Sequence, residues 1–143
     1  MNVAQILKQK GNKVISVSGK DTVFHALEVM KENHIGALLV VEASGKISGV
    51  LSERDVVRAL PEVGGDLMFK PVSSLMTKDV ITCTPDHSVE AVLESMTKHR
   101  FRHMPVLEGS KVVGVISIGD AVKARIDEAE HEAEALKNYI ASG

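Results

Sequence analysis

The hydrophobic and polar positions of the chain repeat in two halves with the same order of spacings. In each half, apolar residues recur every three to four positions, which is typical of an amphipathic helix, and two short apolar runs follow, separated by a polar turn. Helices are predicted at 22–33 and 88–99, because Val23, Ala26, Leu27 and Met30 and their counterparts share this period. The predicted strands are Val14–Val17, Ala37–Glu42 and Lys46–Leu51 in the first half, and Val80–Cys83, His103–Leu107 and Lys111–Ile116 in the second.

The halves also match residue by residue, which indicates an internal duplication. Val14 corresponds to Val80, Leu27 to Leu93 and Val40 to Val106. A closing helix follows each hairpin, so the predicted order is β-α-β-β-α, twice, and the fold class is α+β. Neither small sheet covers both of its faces, and we therefore expect the two copies to pack together about a pseudo-two-fold axis.

A seven-residue phrase occurs once in each half, GVLSERD at Gly49–Asp55 and GVISIGD at Gly114–Asp120. Each copy lies where a predicted strand meets a helix, so it combines free backbone N–H groups, a hydroxyl and a carboxylate one turn on. Those groups suit a phosphorylated ribose. A serine followed three residues later by an acid is also close to a capping box, and one copy alone would favour capping. The duplication favours the ligand interpretation.

Composition and charge narrow the class of protein. The chain has 143 residues, 44% of them hydrophobic and 25% charged, as expected of one compact globular protein. A net charge of -2 provides no broad basic surface, so we expect no nucleic-acid partner. The longest apolar run, Ile35–Val41, is too short to span a membrane, and no signal-peptide pattern is present, so we expect a cytoplasmic protein without a membrane partner. The single cysteine, Cys83, is expected to be a buried, inert thiol.

Two segments lie outside the repeated pattern. Residues Pro61–Pro71 hold two prolines and two glycines, and we expect them to form an exposed, mobile linker that no helix continues through. After Asp120 the closing helix runs on with a heptad seam formed by Val122, Ile126, Ala129, Ala133, Leu136 and Ile140. This seam is consistent either with a helix that lies back on its own domain or with self-association across a dimer.

The duplication, the element order and the Gly-aliphatic-aliphatic-Ser-x-x-Asp phrase together resemble a tandem pair of cystathionine-β-synthase (CBS) domains, a Bateman module. The similarity covers nearly the whole chain. Among members of the family, the chain is similar to stand-alone bacterial CBS pairs. It implies a first repeat at 1–60, a linker at 61–71, a second repeat at 72–125 and a helical extension at 126–143. It also implies a homodimer that binds AMP, ADP, ATP, NAD or a related adenosine ligand in clefts between repeats.

The resemblance further implies roles for particular residues. Asp55 and Asp120 match the family's ribose-binding aspartate, and Ser52 and Ser117 match the hydroxyl beside the ribose or phosphate. The openings of the first strands match the segment whose backbone contacts adenine, and a hydrophobic-proline-hydrophobic element borders the cleft. The residues matched to adenine and to the cleft border are Val14, Ser16, Val80, Thr82, Met104 and Pro105.

Cationic side chains near these positions are candidates for phosphate contact. Arg54 lies inside the first phrase, and residues 98–103 form the one dense basic cluster, from which Arg100, Arg102 and His103 are the candidate ligands. A solvated charged face is the alternative explanation of such a run. The pair His99 and His103 lacks a third ligand, so no metal is expected.

The two copies differ at positions that bear on binding. Leu39 stands where the second copy has Pro105, and Gly119 stands where the first copy has Arg54. The two sites are therefore expected to be unequal.

Three functions are compatible with these residues. The first is a regulatory module that binds an adenosine nucleotide and passes a conformational signal to a protein target. The second is a structural dimerisation adaptor with degenerate clefts. The third, an enzyme, is disfavoured because the sequence has no nucleophile elbow, phosphate loop or zinc-spaced cysteines.

Overall fold

The computed structural model describes residues 1–142, which fold into two compact units. The central unit is Val14–Ile81, and the terminal unit combines Met1–Lys13 with the chain from Thr82 onward. The elements are, in chain order, α1 (Val3–Lys10), β1 (Ser16–Val17), α2 (Val23–Asn33), β2 (Ala37–Val41), β3 (Ile47–Ser52), α3 (Glu53–Val63), α4 (Val89–His99), β4 (His103–Glu108), β5 (Lys111–Ser117) and α5 (Ile118–Ser142). The predicted α+β class is confirmed.

The central unit is built on a three-stranded sheet in the order β1-β2-β3. β1 pairs with β2 in parallel, and β2 pairs with β3 as the predicted antiparallel hairpin. Helix α2 begins after the N-cap Thr22, whose hydroxyl accepts a hydrogen bond from the His25 N–H. Its apolar face packs into the core formed with the sheet, through Ala26 and Met30 against Leu38 and Leu51.

The terminal unit contains the second hairpin, β4-β5, with α1, α4 and α5. Gly114 of β5 lies directly under the α1 side chain Leu7, since a Cβ added at Gly114 would stand 2.5 Å from Leu7 Cδ2. The lack of a side chain at Gly114 therefore allows α1 to approach β5 closely.

The opening segments of the two halves are exchanged between the units. The Val72 N–H, which opens the second half, donates to Asp21 O in the central unit at 2.8 Å. Val3, which opens the first half, donates its N–H to His87 O in the terminal unit at 3.0 Å. Each opening segment is thus held by the turn that precedes the helix of the other half. The compact units consequently do not follow chain order.

The prediction of a strand at Val80–Cys83 was wrong. Only Cys83 makes a bridge, to Val106, whereas β1 in the first half pairs through two residues. The Leu39 N–H donates to Ile15 O in the first half, but the corresponding residue in the second half is Pro105, which has no N–H. The missing donor shortens the parallel pairing to one residue.

The prediction that no helix continues into Pro61–Pro71 was wrong, whereas most of the segment is exposed, as predicted. Helix α3 continues through Pro61 to Val63, and residues Gly64–Phe69 form a 3-10 helix with Leu67 fully buried. Pro61 is tolerated because Val57, whose carbonyl loses the helical donor, is exposed and its carbonyl can be hydrated. The apolar side chain of Leu67, set between the glycines and Pro71, anchors the segment.

Helix α5 resolves one of the alternatives for the C-terminal segment. Only Ala121 and Ala124 on this helix are buried, and the heptad seam is exposed along its whole length. Within residues 1–142 the seam therefore does not pack against its own domain.

Candidate functional site

The first serine-aspartate pair forms the junction between β3 and α3. Ser52 is the N-cap of α3, and its hydroxyl accepts a hydrogen bond from the Asp55 N–H at 3.3 Å. Asp55 Oδ2 in turn accepts from the Ser52 N–H at 2.9 Å and from the Ser52 hydroxyl at 3.1 Å. These bonds form a complete capping box, so the prediction that the first Ser–Asp pair caps a helix is confirmed.

The second pair repeats this geometry where β5 meets α5. The Asp120 N–H donates to Ser117 Oγ at 3.1 Å, and the Ser117 N–H donates to Asp120 Oδ2 at 2.9 Å. In both pairs the capping hydrogen bonds to the aspartate carboxylate are all accepted by Oδ2. Both aspartates are half-buried. Capping therefore leaves one carboxylate oxygen at each site available to an external donor.

Lys10, at the end of α1, joins the second pair. Its ammonium donates to Asp120 Oδ2 at 2.5 Å and to the Val115 carbonyl at 2.9 Å. Burial by itself raises the pKa of Asp120, but the hydrogen bonds from Lys10 and Ser117 and the Lys10 charge outweigh it, so the pKa lies below its ordinary value. Lys10 was not predicted as a site residue, because nothing in the repeat pattern indicates that α1 packs on the second half.

Replacing Lys10 by methionine is expected to raise the pKa of Asp120, because the mutation removes an opposite charge and leaves burial in place. Side-chain carboxyl NMR titration measures the change, with Lys8→Met, an exposed lysine two residues earlier in α1, as the matched control. Since the folded-state pKa is lowered, the stabilisation is present above the ordinary value of 3.8 and is lost as the pH falls through the folded pKa. An unchanged Asp120 titration in Lys10→Met would contradict the ion pair.

Two of the predicted phosphate ligands lie at the same end of the β4-β5 hairpin as the second Ser–Asp pair. His103 opens β4 directly opposite Ser117 at the end of β5. The preceding residue, Arg102, is exposed, and its carbonyl accepts the Ile118 N–H at 2.8 Å where α5 begins. The fold thus places Arg102, His103, Ser117 and Asp120 within one unit.

Arg100 is the C-cap of α4, between this helix and the β4-β5 hairpin. It is exposed and ends α4 in the left-handed conformation, with φ 57°, and His34 occupies the matching position after α2 with φ 54°. Glycine or asparagine is the usual residue there, so the sequence contained no signal for this conformation.

A family model for the CBS domain matches residues 3–62 and again 72–127. The chain belongs to the CBS domain family. The mitochondrial CBS domain-containing protein CBSX3 of Arabidopsis thaliana is 32% identical over 149 residues, covering 99% of this chain and 72% of the relative. The duplication identified in the sequence is therefore a tandem CBS pair.

Solved structures agree with this fold. The CBS-domain containing protein ATU1752 from Agrobacterium tumefaciens matches with a TM-score of 0.85 and 38% identity, covering 87% of this chain and 99% of that one. The CBS domain pair of protein MJ0100, solved in complex with 5′-methylthioadenosine and S-adenosyl-L-methionine, matches with a TM-score of 0.79 and 24% identity, covering 90% and 98%.

The other predicted ligand residues of this CBS pair are distributed over the two units. In the central unit, Ser16 and Arg54 are exposed and Val14 and Val80 are half-buried. In the terminal unit, Thr82 is exposed, whereas Met104 and Pro105 are buried in β4. The register pairs Ser16 with Leu39, and Ala37 with Ser52. The first residue of β1 therefore lies toward the same end of the strands as Ser52.

A membrane-spanning helix, a metal site or a reactive thiol would each indicate another function for the CBS pair. In residues 1–142 no helix is both long and apolar enough to cross a bilayer, and no three His, Cys, Asp or Glu side chains are grouped closely enough to hold a metal ion. Burial raises the pKa of the Cys83 thiol to about 11, so the reactive thiolate is scarce at neutral pH.

Proposed function

We propose that this CBS pair is a non-catalytic regulatory module that binds an adenosine-containing ligand, AMP, ADP, ATP or NAD, and passes a conformational signal to a protein target. The observation that carries the proposal is that the capping bonds of Asp55 and Asp120 are accepted by Oδ2, which leaves Oδ1 outside the cap at two half-exposed helix N-termini. A carboxylate oxygen in that position accepts hydrogen bonds from a ribose diol, as in dinucleotide-binding folds.

Nearby positive charge supports a phosphate-bearing ligand. Arg54 lies in the first turn of α3, while Lys10 and Arg102 lie beside the second pair. Helix N-termini favour anions as well, through their unpaired N–H groups and dipole. The MJ0100 pair, with its two adenosine-containing ligands, supports the ligand class for a related fold.

The two Ser–Asp sites are proposed to differ in affinity. Asp120 is ion-paired with Lys10, whereas Asp55 makes hydrogen bonds only to Ser52 within the described residues. Gly119 lacks the guanidinium that Arg54 carries in the first copy, although a Cβ there would make only an ordinary contact, with Ser117 Oγ at 3.7 Å. A ligand at Asp120 either displaces the Lys10 ammonium from the carboxylate or binds it as well. In both cases ligand binding at Asp120 is coupled to the position of α1.

The coupling provides a route for the signal. Lys10 lies in α1 just before the chain enters the central unit at Val14. A ligand that releases Lys10 from Asp120 changes the constraint on this connecting segment and shifts the population of conformations that the partner recognises.

Thermal unfolding with AMP, ADP, ATP, NAD and S-adenosylmethionine tests the proposal. A ligand present at a hundredfold excess over its dissociation constant stabilises the folded state by about 2.7 kcal/mol, which raises the melting temperature by several degrees. Inosine and free phosphate are the controls for the purine and for the anion. If no adenosine compound changes the melting temperature, the proposed function is wrong.

A dimerisation adaptor with unused sites is the second candidate, and the complete capping boxes favour it because capping alone accounts for both Ser–Asp pairs. Partner capture that is unaffected by Asp55→Ala and Asp120→Ala would support this alternative. Under both candidates, a cytoplasmic location, a homodimer and the absence of nucleic-acid, membrane and metal partners remain predictions.

A further inference from the structure

Helix α5 carries a continuous apolar seam that its own chain leaves uncovered. The large seam residues Val122, Ile126, Leu136 and Ile140 are 44%, 53%, 60% and 68% exposed. They recur at alternating intervals of three and four together with Ala129 and Ala133, which is the spacing of a two-stranded coiled coil.

The second half of α5 also projects without support from its unit. The last contacts to other elements are made by Arg125, which pairs with Glu90, and by Glu128, which pairs with the N-terminal ammonium. Every residue from Ala129 to Ser142 is exposed. Because most helical stability in proteins comes from packing of an amphipathic face, a partner that covers the seam would stabilise this segment.

The charges beside the seam indicate what that partner is. With Ile126, Ala133 and Ile140 as heptad a positions, a parallel, in-register pair of α5 helices places each g residue beside the partner's next e residue. Glu132 then faces the partner's Lys137, an attractive contact made twice by symmetry. Arg125 and the partner's Glu130 have opposite charges too, although Arg125 is already paired on its own chain.

An antiparallel pair with the same seam layers matched is disfavoured by these charges. It places Glu130 beside the partner's Glu130, Glu132 beside the partner's Glu132, and Lys123 beside the partner's Lys137. All of these contacts are repulsive. The charge pattern therefore selects one of the two orientations that the apolar seam alone would allow.

We propose that residues 122–142 of α5 form a parallel, in-register coiled coil with a second copy of this chain. The pairing covers the apolar seam and aligns the Leu136 and Ile140 layers with their own counterparts. It brings the two copies of the terminal unit to the same end of the coiled coil. The proposal is independent of ligand binding, since none of its residues belongs to the Ser–Asp sites.

Charge reversal distinguishes the two orientations by the sign of its effect. In a parallel pair, Lys137→Glu converts two attractive contacts into repulsive ones and is expected to weaken dimerisation of the full chain roughly tenfold. Glu132→Lys is expected to weaken it similarly, and the double variant is expected to restore it. In an antiparallel pair, Lys137→Glu removes repulsion with the partner's Lys123 and would instead strengthen dimerisation. Sedimentation equilibrium at low salt measures each constant.

Cysteine crosslinking tests the register even if another surface also holds the dimer. Ala133→Cys and Ala129→Cys place thiols in the seam, and each alone is expected to give a disulfide-linked dimer under mild oxidation. Asn138→Cys, on the outer face, is the matched control, and the native Cys83 is buried. A disulfide that forms only when the Ala129→Cys and Ala133→Cys chains are mixed would show antiparallel pairing. No seam disulfide, or equal crosslinking at Asn138→Cys, would overturn the proposal.

Discussion

Replacing Gly49 by alanine is expected to lower the free energy of unfolding by about 3 kcal/mol, measured by urea denaturation. A Cβ at this position would stand 2.6 Å from the Thr77 carbonyl oxygen and 2.9 Å from Met76 Sδ. The Thr77 carbonyl cannot move aside as the end of a flexible side chain can. It is held in place because Val50 and Thr77 exchange two backbone hydrogen bonds, of 3.0 and 2.9 Å. The added methyl must therefore separate β3 from the segment that opens the second half.

Two other glycines provide controls for this prediction. Gly65→Ala is expected to have little effect on stability, because nothing lies within 4 Å of its added Cβ. Gly114→Ala is expected to be intermediate, because its close neighbour is the flexible side chain of Leu7 rather than backbone. Equal stability of the Gly49 and Gly65 variants would contradict the tight approach of β3 to Thr77.

Asp55→Asn and Asp120→Asn are each expected to weaken adenosine-ligand binding at their own site by roughly ten- to a hundredfold. Asparagine keeps a side-chain oxygen for the cap but loses the charge that strengthens hydrogen bonds from the ribose hydroxyls. Isothermal titration calorimetry with the ligand that gives the largest thermal shift measures affinity and stoichiometry together. The double variant is expected to lose measurable binding.

Glu53→Gln is the matched control, since Glu53 precedes Asp55 by two residues in the same helical turn and is exposed. It removes the same charge from the same helix end without touching the capping box. If Glu53→Gln weakens binding as much as Asp55→Asn, the effect is general electrostatics and the ribose contact is wrong. If both Asp variants bind normally while remaining folded, the Ser–Asp pairs are only caps.

The Lys10 ion pair shows why a duplicated sequence does not make two equal sites. The openings of the halves correspond as Val3 with Val72 and Leu7 with Met76, and on the same alignment Lys10 corresponds to Asp79. The positions that follow the two opening segments thus have opposite charges. A ligand of given charge is consequently expected to prefer one site. The two sites would then fill at different ligand concentrations rather than together.

Most local elements were predictable from the sequence, because they depend on short-range patterns. The α2 and α4 periods, the two hairpins and the starts of the closing helices after Ser52 and Ser117 were all correctly predicted. The capping-box alternative could also be stated in advance, since its spacing is local. The αL conformation of His34 and Arg100 could not, because neither residue type signals it.

The sequence by itself determined the duplication, the α+β class, the Ser–Asp junctions and the heptad seam, because periodicity and spacing are properties of neighbouring residues. Tertiary structure alone decided the exchange of the opening segments, the Lys10–Asp120 contact, the ordering of residues 64–69 around Leu67 and the exposure of the α5 seam. These features arise between residues far apart in the chain, where burial and close backbone approach select one partner among many that the same local pattern allows.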